Sequence, residues 1–255
     1  MQVSIITICY NRKATIEKAI KSVLKQDYPY IEYIVIDGAS TDGTKEIIQS
    51  YSNKITKYIS EPDQGMYDAI NKGLSLANGD IIGLMHSDDA FYDSSVVSKI
   101  VKAFQDSPAT DGVYGNGIYV SNDSEEKIVR NRIGGEYDFE KLKLGWLPLH
   151  PSVYLRRGVF EKYGHYNLDF KIASDTELLL RYLYKYQIKM TYLNAYFVKM
   201  RMGGLSTNSK LAFEVLLEDY RIYKYHGLAA FRVVFLKKII ALKQYLNIKK
   251  RVPQK

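Results

Sequence analysis

Three observations in the N-terminal third of the chain predict an open α/β sheet with mainly parallel strands. Continuous β-branched apolar runs, VSIITIC (3–9) and IEYIVID (31–37), suit central strands covered on both faces. Segments with helical apolar periodicity lie between such runs. Each strand candidate ends in a polar or Gly-containing turn. Strands alternating with helices at this spacing pair in parallel through right-handed crossovers.

After the first strand, ATIEKAIKSVLKQ (14–26) gathers Ile16, Ala19, Ile20, Val23 and Leu24 on one helical face. The second strand ends at Asp37 in DGASTDGT (37–44), a turn suited to capping the helix TKEIIQSY (44–51). ITKYIS (55–60) is a third strand, EPDQG (61–65) a loop, MYDAINKGLSLA (66–77) a helix and DIIGLMH (80–86) the fourth strand. Sheets of this class bind ligands at the carboxyl ends of their strands. Tyr10–Arg12, Asp37 and Asp88–Asp89 each follow such an end. Beyond residue 93, SSVVSKIVKAF reads as a helix, GVYGNGIYV (112–120) as a strand and 121–150 as a mostly irregular polar stretch holding the single Trp146. A helix from Asp175 to Tyr186, a strand over 189–200, the turn RMGGLST (201–207) and a helix over 208–225 complete the order.

The chain has 255 residues, 46% of them hydrophobic, enough for one main domain with a sizeable core. Cys9 is the single cysteine, so an internal disulfide is excluded and a buried small hydrophobe is expected. The start MQVSIITICYNR carries no basic leader pattern and no run approaches a membrane span, so a cytoplasmic location is expected. The net charge of +8 is concentrated. Residues 231–255 hold eight basic groups and no acid, leaving 36 − 8 = 28 basic against 28 acidic residues elsewhere.

In LMHSDDAFYD (84–93) an apolar strand runs directly into the adjacent carboxylates Asp88 and Asp89. Neighbouring acids at a buried strand end repel each other and lose solvation, so a compensating group is expected. Capping or turn formation accounts for one aspartate better than for two. A hard divalent cation suits the pair, because it keeps waters and accepts phosphate oxygens from a ligand. A phosphoacceptor site is disfavoured by the lack of an earlier acidic pair.

VSIITICYNR, VIDGASTDGT, EPDQGMYDAINKGLSLANGDIIGLMHSDD, HPSVYLRRGVFEKYG, ASDTELLLR and RMGGLS follow one another over residues 3–206. In this order they resemble the family 2 glycosyltransferases of the GT-A fold, in particular small bacterial enzymes of colanic-acid, O-antigen or capsule assembly. The resemblance implies a Rossmann-like, mixed but mainly parallel sheet flanked by helices. It assigns a nucleotide-sugar half to 1–111, an acceptor and base half to 112–228, and a C-terminal helix to 229–255.

Carried over by position, the resemblance puts Thr7 and Tyr10 in the nucleotide pocket and Asp37 on a pyrimidine ring N–H. That acceptor role suits the uracil or thymine of a UDP- or dTDP-sugar. Asp88 would contact the ribose, and Asp89 would bind Mn²⁺ or Mg²⁺ on the diphosphate. Asp175 matches the base of the family's Glu-Asp motif, with Ser174 in place of the acidic neighbour and Glu177 as the second candidate. His150 and the Gly203-Gly204 turn are the candidate acceptor or sugar contacts. Plainer roles exist for each: core packing for Tyr10, helix capping for Asp37 and Asp175, a structural histidine for His150. The implied reaction is single displacement with inversion, one sugar per visit, since the QxxRW motif and membrane helices of processive synthases are missing. The replacement at Ser174 keeps open a nucleotide-sugar-binding protein without transfer activity. A nucleotidyltransferase would need a Gly-rich basic loop that ITICYNRKAT lacks.

Read as a helix, FRVVFLKKIIALKQYLNIKKR (231–251) gathers Phe231, Phe235, Ile239, Leu242 and Leu246 on one face, with Arg232, Lys237, Lys243 and Lys250 elsewhere and Lys238 intruding. It suits peripheral contact with an anionic inner membrane, where a polyprenyl-diphosphate-linked acceptor would be met, or docking on its own domain with solvated lysines. Nucleic acid is not expected, since the basic groups lack interleaved aromatics in a groove.

Overall fold

The computed structural model describes residues 1–121, 127–202 and 212–246. Strands β1 (Val3–Cys9), β2 (Ile31–Asp37), β3 (Lys57–Ser60) and β4 (Ile81–Leu84) lie parallel in the order β3-β2-β1-β4. Their register sets Cys9 beside Asp37 and Asp37 beside Ser60, so the carboxyl ends share one rim. Beyond β4 the sheet continues as β8 (Val153–Arg156), β6 (Gly112–Val120), β9 (Met190–Arg201) and β5 (Ala90–Phe91). There β8 runs antiparallel to both neighbours, β6 and β9 are parallel, and β7 (Ile128–Arg132) adds to β6 from outside this order. The sheet is mixed, with the four strands β1–β4 of its N-terminal half parallel, as the sequence predicts.

The apolar runs are continuous because both faces are covered. On β1, Ile6 and Ile8 pack with Ile70 and Leu74 of α3 (Met66–Leu76), while Val3, Ile5 and Cys9 pack with Ile16 and Ile20 of α1 (Ile16–Leu24) and with Ile100 and Phe104 of α4 (Val96–Asp106). The remaining helices are α2 (Thr44–Gln49), α5 (Phe139–Leu142), α6 (Arg157–Tyr163), α7 (Ser174–Leu180), α8 (Ala212–Tyr225) and α9 (Ala230–Leu246).

Three stretches depart from the expected elements. The region read as irregular contains β7 and α5; β7 reads IVRNR, too polar to signal a strand without its partner β6. HPSVYLRRGVFEKYG divides into a 3-10 turn (His150–Ser152), the four-residue β8 and α6, pieces too short for periodicity to separate. The helix expected to run to Tyr186 leaves α geometry after Leu180 and finishes as a π-helical turn over Arg181–Lys185.

The C-terminal helix is two-sided. Val233 and Val234 of α9 join the apolar cluster that includes Ile222 and Tyr223 of α8. Lys237, expected among solvated lysines, is instead half-buried against α8, where its Nζ donates to both Asp219 carboxylate oxygens at 2.7 and 2.8 Å. Phe231, Phe235 and Ile239 point outward. The side chains of Lys238, Leu242, Lys243 and Leu246, and residues 247–251, lie outside the described residues. Among the described residues no helix is long and apolar enough to cross a membrane.

Candidate functional site

The loops after β1 and β2 are laced together. Ser40 Oγ accepts from the Asn11 N–H at 2.8 Å, Asn11 Oδ1 accepts from the Thr41 N–H at 2.9 Å, and Thr44 Oγ1 accepts from the Arg12 N–H at 2.8 Å. Asn11 and Ala39 sit in the left-handed region at φ 52° and 62°, a cost that this lacing offsets. Asp37 is the centre of the arrangement and is fully buried. Its carboxylate accepts from the Ser40 N–H and hydroxyl, from Ser60 Oγ at 2.6 Å and from the Cys9 thiol at 3.6 Å. Burial and this carboxylate together push the Cys9 thiol far above the usual range. Asp37, expected to read a base, spends its oxygens in this structure on holding the loop. Thr7, expected in the same pocket, has its side chain in the core, where its hydroxyl oxygen accepts from Tyr33 at 3.1 Å.

Two other groups occupy the rim. Tyr10 is 60% exposed, which removes the core-packing reading. Asp63, in the EPDQG loop, accepts from the Gly65 N–H through Oδ1 at 2.9 Å and lays its carboxylate over Gly38. A Cβ at Gly38 would collide with that carboxylate and meet the Tyr10 ring at 3.4 Å. Gly38 is thus the position that lets Asp63 and Tyr10 converge. The sequence signal was the glycine directly after Asp37.

The turn after β4 carries His86, Asp88 and Asp89. Asp88 is half-buried and Asp89 buried. Burial first, then the neighbouring Asp88, pushes the Asp89 carboxyl well above the usual carboxylate range, although the Arg201 backbone N–H donates to it. The Lys18 charge pulls Asp89 the other way but does not outweigh burial, and the pair offers hard oxygen donors, which fits Mg²⁺ or Mn²⁺. Among the described residues no three metal-ligating side chains converge, so a cation here would draw only these carboxylates from the protein and would need ligand oxygens and water for the rest.

Asp175 opens α7 half-buried, and its Oδ1 accepts from Tyr67 Oη at 3.3 Å and from the Thr176 N–H at 2.8 Å. Among the described residues no hydrogen bond reaches Oδ2. The single Tyr67 hydroxyl proton is shared with the Ile172 carbonyl at 2.8 Å, the shorter of the two contacts, and the ring stacks on Tyr166. Burial, then the Asp175 charge, holds the Tyr67 phenol well above its ordinary value, so it stays a donor. Tyr166 in turn pairs with His150 Nε2, and the His150 and His86 rings lie 6.0 Å apart. Burial lowers His150 to about 4 against the opposing pull of Asp175. His86 is lowered by burial against both Asp88 and Asp175. One imidazole thus feels the acids after β4 and the acid opening α7.

The second candidate base, Glu177, is buried and held by Arg181 at 3.1 and 3.0 Å, which leaves Asp175 the better placed of the two. Ser174 donates to the Asn167 carbonyl at 2.8 Å and anchors the start of α7. Gly203 and Gly204 lie outside the described residues. Sequence reasoning missed Glu218 of α8, whose carboxylate accepts from three successive N–H groups, Lys171, Ile172 and Ala173, at 2.8 to 2.9 Å just before Asp175. Nothing in the local sequence marks it, since the contact spans two elements. Glu218→Ala leaves those donors to water and is expected to lower the melting temperature by several degrees; Glu218→Gln, which still accepts hydrogen bonds, should recover most of the loss.

Glycosyl transferase family 2 matches residues 4–164. The chain belongs to this family. An uncharacterized glycosyltransferase of Mycobacterium tuberculosis is 33% identical over 183 residues, covering 70% of this chain and 68% of the relative. A PGL/p-HBAD biosynthesis glycosyltransferase of Mycobacterium bovis is 27% identical over 207 residues, 80% of this chain and 78% of its own. A putative teichuronic acid biosynthesis glycosyltransferase of Bacillus subtilis, TuaG, is 40% identical over 90 residues, 34% of this chain and 36% of its own. Among solved structures, S. aureus TarS 1–349 in complex with UDP-GlcNAc superposes with a TM-score of 0.65 at 20% identity, covering 97% of this chain and 72% of that one. The chain spans 43% of the longer TarS structure. The mannosyltransferase PcManGT of Pyrobaculum calidifontis, in complex with GDP-Man and Mn²⁺, gives 0.67 at 16% identity over 95% of this chain and 70% of that one. These structures share the GT-A fold of this family 2 glycosyltransferase.

Proposed function

We propose that the protein transfers one sugar from a UDP- or dTDP-sugar, with inversion, to a lipid-linked acceptor in bacterial surface polysaccharide assembly. What supports this reading is the chain of contacts from the turn after β4 to α7: the His86 ring lies 6.0 Å from His150, His150 pairs with Tyr166, Tyr166 stacks on Tyr67, and Tyr67 reaches Asp175, which ties the leaving-group end of the cleft to the base. Asp88 and Asp89 would hold Mg²⁺ or Mn²⁺, whose charge offsets that of the departing diphosphate. Asp175 Oδ2 takes the proton of the acceptor hydroxyl as its oxygen bonds to the anomeric carbon. The bond from that carbon to the diphosphate breaks and its electron pair leaves with the diphosphate. Tyr67 holds the carboxylate in orientation, and the neutral His86 and His150 can serve sugar hydroxyls as hydrogen-bond partners without adding charge. The relatives named for PGL/p-HBAD and teichuronic acid biosynthesis favour a cell-surface product.

For the nucleobase, the acceptor we propose is Asp63, beside Tyr10, in place of the occupied Asp37. Asp63→Asn is expected to weaken UDP binding about tenfold or more with an unchanged melting temperature. Asp37→Asn should instead lower the melting temperature, since it breaks the loop lacing. Calorimetric titration with UDP alongside thermal melting separates the two, and the opposite pattern would return base reading to Asp37. The whole proposal is tested by incubating the purified protein with Mn²⁺ and a panel of nucleotide sugars and reading nucleoside diphosphate release. Pyrophosphate as the product, or no uptake of any nucleotide sugar, overturns it.

A further inference from the structure

We infer that the outward face of α9 docks on the surface of an anionic bilayer. Phe231 is 82% exposed, Phe235 61% and Ile239 37%, one residue per turn along a single stripe. The stripe is not needed for folding, because α9 is held from its other side by Val233, Val234 and the Lys237–Asp219 ion pair. Exposed phenylalanines on consecutive turns are costly in water and mark a contact surface. Charge identifies the occupant. Of the eight bases in residues 231–255, Lys237 is neutralised by Asp219, which leaves seven with no acid in the segment, while the rest of the chain is balanced. Arg232 is exposed on the helix itself. A second copy of the chain would bring like charge against like charge, whereas anionic headgroups accept both the bases and the aromatic stripe.

The helix pair is also tied to the candidate base. Asp219 holds α9, and its neighbour Glu218 holds the backbone leading into Asp175. A bilayer under α9 would therefore lie against the same helix pair that positions the acceptor side of the cleft. Docking itself does not rest on the transferase reading; the link to a lipid-linked acceptor does.

The test is co-sedimentation of the full chain with vesicles of phosphatidylcholine alone or mixed with phosphatidylglycerol, without donor or acceptor. Binding is expected only with the anionic mixture and should fall at high salt. Phe231→Ser with Phe235→Ser should lower the vesicle partition coefficient about tenfold or more, and Arg232→Glu should lower it too, with melting temperature and UDP binding unchanged. Equal binding to neutral vesicles, no binding to either, or unchanged binding by the double serine variant overturns the inference. A double variant that turns a dimer into a monomer in sedimentation velocity would give the face to a second copy and overturn it likewise. A protein that docks but transfers nothing would sink only the transferase reading.

Discussion

Replacing Asp175 by asparagine is expected to cut sugar transfer by about 10²–10⁴-fold while leaving UDP binding and the melting temperature unchanged. Asparagine keeps the shape of the side chain and an oxygen that can accept from Tyr67 and from the Thr176 N–H, the two contacts that Asp175 makes. What it loses is the capacity to take a proton. A loss confined to turnover therefore separates base from helix cap, the two roles a carboxylate at the start of α7 can have. Asp175→Ala would lose both at once and could not make that distinction. Tyr67→Phe removes the orienting donor but not the base, and a smaller loss is expected, again without a change in UDP affinity. If the asparagine variant keeps activity within about threefold of the parent, Asp175 is a cap and the acceptor proton goes elsewhere.

The fold was legible wherever one element carries its own pattern. VSIITIC and IEYIVID announce buried parallel strands, since both faces of β1 and β2 are covered. β7 and β8 were not legible, because a polar five-residue edge strand and a four-residue strand exist only through their partners. The candidate site divides along the same line. Asp88, Asp89 and Asp175 stand at the ends of readable elements, so position alone singled them out, while the roles proposed for them come from the family resemblance. Asp37 looked like a ligand group from its place after β2, but the serines that occupy its oxygens come from 3 and 23 residues away, and only the folded chain shows them turning inward. Glu218 is 45 residues beyond Ala173, whose N–H it accepts, and no local signal could reach across that separation. The tail shows a third kind of difficulty. Its apolar positions occupy two faces, one docked and one bare, so a single apolar stripe described only half of the helix.

Asp89→Asn is expected to move stability and function in opposite directions. In the metal-free protein this carboxyl is buried beside Asp88 and keeps its proton to a higher pH than it would in the unfolded chain. Its contribution to stability is thus complete below the ordinary carboxylate range and is lost as pH rises through the raised value. At neutral pH an asparagine there avoids the cost of ionising a buried group, so the metal-free variant should melt at the same temperature as the parent or higher. Mn²⁺-dependent UDP binding and sugar transfer should nevertheless fall about 10²-fold or more, because one of the two carboxylates offered to the cation is gone. The same proton predicts a pH signature. Below the raised value, Mn²⁺ uptake by the parent has to displace it, so Mn²⁺-assisted UDP binding should strengthen by up to about tenfold per pH unit, and that slope should vanish in Asp89→Asn. Calorimetry at two pH values, with and without Mn²⁺, reads both effects. A variant that loses stability and keeps its Mn²⁺ response would mean that Asp89 closes the turn after β4 and the cation, if used, is held by other groups.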